Sequence, residues 1–264
     1  MIHSVQKAMK ILSVLSDTPS QPVTLMDIAQ KTGYPKPTCS HILETLCHDS
    51  YVMRVSQTKG YLPGPALYCL TRHGRYEDEL VSLCRPVMRW MERTSHATII
   101  LSVIRNGQKF IIDYADTEQQ LLSEHSRIRL DDIYRTATGR VILSHTSLNE
   151  IREIYEKHGP PNPEQWPQVT DLDSLLEQLK SLRTQTIVST GIENGIVIHQ
   201  NIAFASPLFR KKACVGAIGL AWRVSEKNIP LPQEIESLLI TTLKKGTQEI
   251  KRRLCYEQPL SDKV

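Results

Sequence analysis

In the stretch GYPKPTCSHILETL, residues 33–46, side chains with hydrogen-bonding heads (Lys36, Thr38, Ser40, His41 and Thr45) alternate with an apolar set, Cys39, Ile42, Leu43 and Leu46, at helical spacing. An ammonium, three hydroxyls and an imidazole supply donors and acceptors. They suit hydrogen bonding to phosphate oxygens and base edges rather than bond-making. Pro35 and Pro37 fix where this helix begins: Pro37 belongs in a first turn, where its missing N–H would have been unpaired and its ring presets φ. A second polar set is YRTATGR, residues 134–140. There Thr136, Ala137, Thr138 and Gly139 open another helix, whose amide N–H groups and threonine hydroxyls can hold an anion or simply cap the helix.

Signatures of catalysis are missing from the sequence. It has no G-x-S-x-G elbow, no G-x-x-x-x-G-K-S/T loop and no H-E-x-x-H, and GAIGLA at 216–221 lacks dinucleotide-binding spacing. Cys84 and Cys214 could be named as nucleophiles, with His96, His125, His145 or His199 as bases, but no spacing links them. The six cysteines are scattered without a C-x-x-C pair, so neither a disulfide framework nor a thiolate metal site is expected. No catalytic residue, metal or cofactor is expected either. With 40% hydrophobic and 23% charged residues, the 264-residue chain has a globular balance, and no apolar run approaches the roughly 18 residues of a membrane helix. A cytoplasmic protein is expected. A net charge of +4 is compatible with a polyanionic partner without requiring one.

Periodicity supplies the elements that must position these residues. Val5, Ala8, Leu12 and Leu15 form one stripe of a first helix. Thr24 followed by Asp27 resembles a capping box, and Leu25, Ile28, Ala29 and Thr32 line the inner face of a second helix ended by Gly33. The proline-marked helix follows within about four residues, the turn length of a helix-turn-helix. YVMRVSQTKGYLPG then predicts a β-hairpin, the wing of a winged-helix domain, with Lys59 at its tip for phosphate. Domain boundaries follow: 1–64 for the winged helix-turn-helix, 65–75 for a linker helix, 76–257 for a second domain and 258–264 for a tail. In that second domain, strands meet at an Asn106-Gly107 turn, helices follow, and the apolar strands NIAFASPLF and ACVGAIGLAWRV flank the turn RKK before a long closing helix. The basic stretch KKGTQEIKRRL within it reads as a solvated helix end. The order predicts an α+β fold with an antiparallel sheet.

SVQKAMKILSVL, TLMDIAQKTGYPKPTCSHILETL, the wing, YRTATGRVIL and NIAFASPLF together resemble the IclR family of bacterial transcription regulators, in order and over nearly the whole chain. The resemblance implies an N-terminal winged helix-turn-helix that binds DNA, joined to a C-terminal effector-binding domain similar to GAF and PAS modules. DNA contact would fall to Thr24, Lys36, Pro37, Thr38, Ser40, His41, Thr45 and Lys59. Of these, Lys36, Thr38, Ser40 and Lys59 suit phosphate, and Lys36, Thr38, His41 and Thr45 suit bases. The effector would meet Thr136, Ala137, Thr138 and Gly139, with Glu193, Ala203, Gly219 and Ala221 at the family's remaining pocket positions. Arg127, Arg129 and Arg135 could add positive potential.

Two departures from the family pattern bear on function. His41 stands where the family commonly has arginine, and an imidazole cannot make the bidentate fork to guanine O6 and N7. Ala203, Gly219 and Ala221 replace the cysteine and serines with which relatives hold small carboxylates such as glyoxylate or pyruvate. The partners implied are double-stranded, pseudo-palindromic operator DNA, a small carboxylate-type effector, and a second copy in a homodimer able to pair into a dimer of dimers. Repression is favoured over activation. The competing reading is a metabolite-binding or enzymatic GAF-like domain whose winged helix serves protein contacts.

Overall fold

The apolar residues of the first 64 positions gather into one small core, whose enclosed members include Ile11, Leu15, Ile28, Cys39 and Leu43. In the computed structural model, which describes residues 1–17, 21–55, 59–70, 79–116 and 133–256, they come from α1 (His3–Ser16), α2 (Leu25–Thr32) and α3 (Lys36–His48). The chain parts into two compact units, 1–75 and 76–264. α1 is rotated from the expected stripe: Leu15 is enclosed and Ala8 and Leu12 are half-buried, but Val5 is exposed while Ile11 and Val14 point inward. Burial is confined to the last two turns of α1. A stripe drawn along its whole length therefore misplaces its first turn.

The turn into α3 is held on both sides. Thr24 caps α2, its Oγ1 accepting the Asp27 N–H at 3.2 Å and donating to the Asp27 carboxylate at 2.7 Å. Gly33 ends α2 at φ 73°, ψ 13°, a left-handed conformation that strains any residue with a Cβ. Beside it, the buried Thr32 hydroxyl donates to the Ile28 carbonyl at 2.7 Å and accepts the Tyr34 N–H at 3.3 Å. The wing strands β2 (Val52–Val55) and β3 (Gly60–Pro63) pair antiparallel, and a two-residue strand β1 (Val23–Thr24) adds to β3 on its other side. β1 is too short to show alternation in the sequence. A short helix α4 (Pro65–Leu70) is bonded to this unit through the Ala66 N–H and the Ser50 carbonyl, 3.1 Å apart. Residues 71–75 of the expected linker, part of the wing turn (56–58) and the tail 258–264 lie outside the described residues.

In the second unit, α5 (Glu79–Ser95) leads into the hairpin β4 (Thr98–Arg105) and β5 (Gln108–Ala115), whose Asn106 and Gly107 both take positive φ, 52° and 70°, as a tight hairpin turn requires. Three helices follow, α6 (Ala137–Ser144), α7 (Leu148–His158) and α8 (Leu172–Arg183). β6 (Val188–Thr190), the small hairpin β7 (Ile192–Glu193) and β8 (Ile196–Val197), the long strands β9 (Asn201–Arg210) and β10 (Ala213–Arg223), and α9 (Gln233–Tyr256) complete the chain's described elements. The main sheet is antiparallel in the order β5-β4-β10-β9-β6. Its Ile99, Leu101, Ile218 and Leu220 pack with α5 and α9, whereas Ala205 and Ala217 face Ala137 and Val141 of α6, with α7 and α8 stacked beyond. Each enclosed leucine or isoleucine contributes about 1.5–3 kcal/mol to this packing. Strands β6 to β8, of two or three residues each, are too short to carry a periodicity in the sequence.

A register shift between Leu101 and Ser102 makes a bulge in β5 opposite them. It turns Asp113 toward the α5 side, where Ile112 and Ala115 also pack, and there the 5% exposed carboxylate meets Arg85 Nε of α5 at 2.9 Å. Removing one partner of such a pair strands a buried charge. Asp113→Ala is expected to lower the unfolding free energy of this unit by about 3–5 kcal/mol in urea titration. A loss below about 1 kcal/mol would show the pair to be dispensable.

Candidate nucleic-acid interface and ligand cavity

α3 presents a continuous exposed face: Lys36, Pro37, Ser40, His41 and Thr45 all lie on it. Thr38 is half-buried, so it stands at the margin of the face rather than on it. The Thr45 hydroxyl donates to the His41 carbonyl at 3.2 Å, leaving its lone pairs outward. Thr24 is occupied as the α2 cap, which makes it a positioning residue for the helix pair. Lys59 is exposed at φ 51° beside the wing turn. At the start of α3 the supply of amide donors is thinner than a free helix end would give. Pro35 and Pro37 carry no N–H, and the Cys39 N–H is already bonded to the Pro35 carbonyl at 3.1 Å, so only the Lys36 and Thr38 amides remain for an anion.

Sequence reasoning passed over Glu44, which is exposed one turn beyond Ser40 and three residues beyond His41. The same i, i+4 spacing that identified the face would have found it. A carboxylate there repels phosphate and accepts from a cytosine amine. Also unforeseen are Lys7 and Lys10 of α1, whose ammonium groups lie 5.7 and 5.3 Å from the centroid of the Tyr34 ring in the turn before α3.

In the second unit, a cavity of about 400 Å³ opens between the sheet and the start of α6. Ala203, Gly219 and Ala221 form its floor with Ile100 and Ile111, and Ala203 pairs directly across from Ala221. Thr136, Ala137 and Thr138 form one wall. Thr136 is the N-cap of α6, its Oγ1 accepting the Gly139 N–H at 3.2 Å. α6 can sit this low because residue 219 has no side chain: a Cβ there would lie 2.7 Å from the Thr138 methyl carbon. A side chain at this position would require the Thr138 side chain or α6 itself to shift.

Two of the expected effector residues do not line the cavity. Gly139 is buried against the Ile133 carbonyl, into which a Cβ would run, so its role is to let α6 start where it does. Glu193, on β7, is exposed away from the cavity, and its charge acts instead on Arg140. Arg140 is the strut of this wall: it donates to the Tyr134 carbonyl at 2.7 Å and the Gln165 carbonyl at 2.5 Å, with its guanidinium 4.1 Å from the Trp166 ring centre. Burial pulls Arg140 down to about 10, partly offset by Glu193, so it stays charged at neutral pH. Burial likewise pushes the Tyr134 phenol up to about 12.

The polar groups not foreseen come from elsewhere in the fold. Lys109, 4% exposed, enters from β5 beside Ile111. His199 and Gln200 line the cavity from the segment before β9, Asn201 from the first position of β9, and Lys227 from the loop after β10. These two loops are laced together, Val197 N–H to the Ile229 carbonyl at 2.9 Å and Val224 N–H to the Gln200 carbonyl at 2.7 Å. Arg135 lines the cavity too, while Arg127 and Arg129 lie outside the described residues. No aspartate or glutamate is among the cavity-lining residues described. Among the described residues no cluster of His, Cys, Asp or Glu could hold a metal ion.

A polar-faced winged helix-turn-helix followed in one chain by a sheet domain with a cation-lined cavity defines the class of two-domain transcription regulators. Residues 4–56 match the IclR helix-turn-helix domain and residues 76–244 match the C-terminal domain of the bacterial transcriptional regulator IclR. The chain belongs to the IclR family. It is 25% identical over 156 residues to the HTH-type transcriptional regulator KdgR of Escherichia coli, a match covering 59% of this chain and 58% of that one, under two-thirds of the relative's length. The fold is shared with an IclR transcriptional regulator from Alicyclobacillus acidocaldarius, with a TM-score of 0.69 at 18% identity over 96% of this chain and 98% of that one. It is shared also with an IclR homologue from Microbacterium hydrocarbonoxydans complexed with 4-hydroxybenzoate, with a TM-score of 0.62 at 14% identity over 94% and 99%.

The contact between residue 219 and Thr138 is directly testable. Gly219→Ser should cost about 1–3 kcal/mol through overpacking, read as a lower melting temperature. Adding Thr138→Ser, which removes the obstructing methyl, should restore most of it. Equal melting of the single and double variants would show that the crowding does not limit α6.

Proposed function

We propose that this protein binds operator DNA through α3 in the major groove, with Lys59 and the remaining α3 amides on phosphates, and that an anionic small molecule in the cavity changes that binding. The exposed face of α3, held in orientation by Gly33 and the two prolines, is the observation that carries the reading. His41, Lys36 and Thr45 read bases, with Glu44 as a fourth reader. Residues 1–64 hold six lysines and arginines against four acids, a surplus of only +2. Two such domains must pool their contacts to hold a duplex, which supports a dimer on a roughly palindromic site. The effector reading is supported by the α6 terminus, the lining cations and the carboxylate bound by the Microbacterium relative. Coupling acts through differential affinity of the effector for the DNA-competent arrangement, typically 1–3 kcal/mol. Repression rather than activation, work in the cytoplasm and the lack of catalysis belong to the same proposal. Among the described residues no helix is long and apolar enough to cross a membrane.

Gel-shift titration of the full chain on its own upstream DNA, across a salt series and with each operator base mutated in turn, tests the DNA reading. His41→Ala should lose about 1–3 kcal/mol of discrimination at one position per half-site. Lys59→Ala should weaken every sequence alike and reduce the salt slope by about one per domain. Glu44→Gln should tighten non-specific binding while relaxing preference. No salt-dependent shift, even in dilute buffer, would overturn the assignment.

A further inference from the structure

We infer that the cavity selects a ligand with two separated anionic groups, and that Lys109 is the specificity-determining residue for the second of them. The inference rests on the anionic-effector reading above. The floor offers no side-chain donors, since Ala203, Gly219 and Ala221 are apolar or bare and Ile100 and Ile111 flank them. Polar recognition is therefore confined to the edges. One edge is the start of α6 with Arg135, where helix-terminal amides and a guanidinium suit a carboxylate.

The other edge is Lys109. It comes from β5, two strands from the β10 glycine on which α6 rests. Its partner Ile104 lies four residues along β4 from Ile100, the partner of Gly219, so the two backbones stand roughly 16 Å apart; the lysine side chain lining the cavity covers part of that span, leaving the scale of a small molecule with acidic groups at opposite ends. Lys109 is 4% exposed, and burying an ammonium is costly unless oxygen acceptors surround it. An ammonium carries three donors, so it can serve a ligand oxygen alongside a protein acceptor. A flat apolar floor between the α6 edge and the Lys109 edge, with Lys227 also lining the cavity from the loop after β10, fits a short dianion with a hydrocarbon middle. A monoanion would engage one edge only.

Isothermal titration of the full chain with two matched pairs, terephthalate against benzoate and glutarate against butyrate, tests this. In the native protein the second carboxylate should tighten binding about tenfold or more, as charge-assisted hydrogen bonds do. Lys109→Met should erase that gain and leave monoanion affinity unchanged, whereas Lys109→Arg should keep it. Lys109→Gln, closer in polarity, repeats the measurement should the methionine variant fail to fold. Equal affinity for the members of each pair, or a gain that survives in Lys109→Met, overturns the inference and leaves the anionic-effector reading standing if Arg135→Gln weakens all binders. If none of the four probes binds and Arg135→Gln changes nothing, the anionic-effector reading itself fails with it.

Discussion

The close seating of α6 on the sheet is the constraint from which the second unit's site follows. The Thr138 methyl occupies the space that any side chain at residue 219 would need. Small residues beneath the helix, Ala205 and Ala217, let its Ala137 and Val141 pack directly on the strands. This contact brings the amide-bearing end of α6 to the rim of a floor too small-chained to supply donors of its own. The polar work then falls to side chains arriving from β5, from the segment before β9 and from the loop after β10.

Arg140 stabilises the arrangement from behind. By donating to the Tyr134 and Gln165 carbonyls it ties the residues before α6 to the loop preceding α8, and its face on Trp166 replaces the water it loses. A cation so enclosed accepts a depressed pKa in exchange for fixed geometry. The start of α6 is therefore held in one orientation. That preorganisation lets a modest number of contacts discriminate between ligands.

The first unit solves a parallel problem with different means. Its core is small, so orientation of α3 depends on local devices: a left-handed glycine, a buried threonine that bonds on both sides of it, and two prolines. The prolines also remove amide donors from the first turn of α3. Hydrogen-bonding capacity on that face then rests more with side chains, one of which, Glu44, carries a negative charge. Such a surface is suited to selectivity more than to raw affinity.

Much of this was legible in the amino-acid order. Caps, breakers and periodicity are local, so α2, the turn, α3, the wing strands and the Asn106-Gly107 hairpin could be placed from neighbouring residues alone, as could the outward set of Lys36, Ser40 and His41. The same logic erred where burial was not uniform along an element, as at Val5 of α1, and where elements were too short for a period, as in β1 and β6 to β8. The cavity was the least legible part. Thr136 and Thr138 announced a helix start, but Glu193 and Gly139 proved to face elsewhere, and Lys109 and Lys227 belong to the site only because strands distant in sequence lie side by side and two loops are laced across its mouth. Spacing along a chain determines which residues share a face of one helix or strand. Which faces converge on a common space is decided by strand pairing and by how closely a helix can approach the sheet.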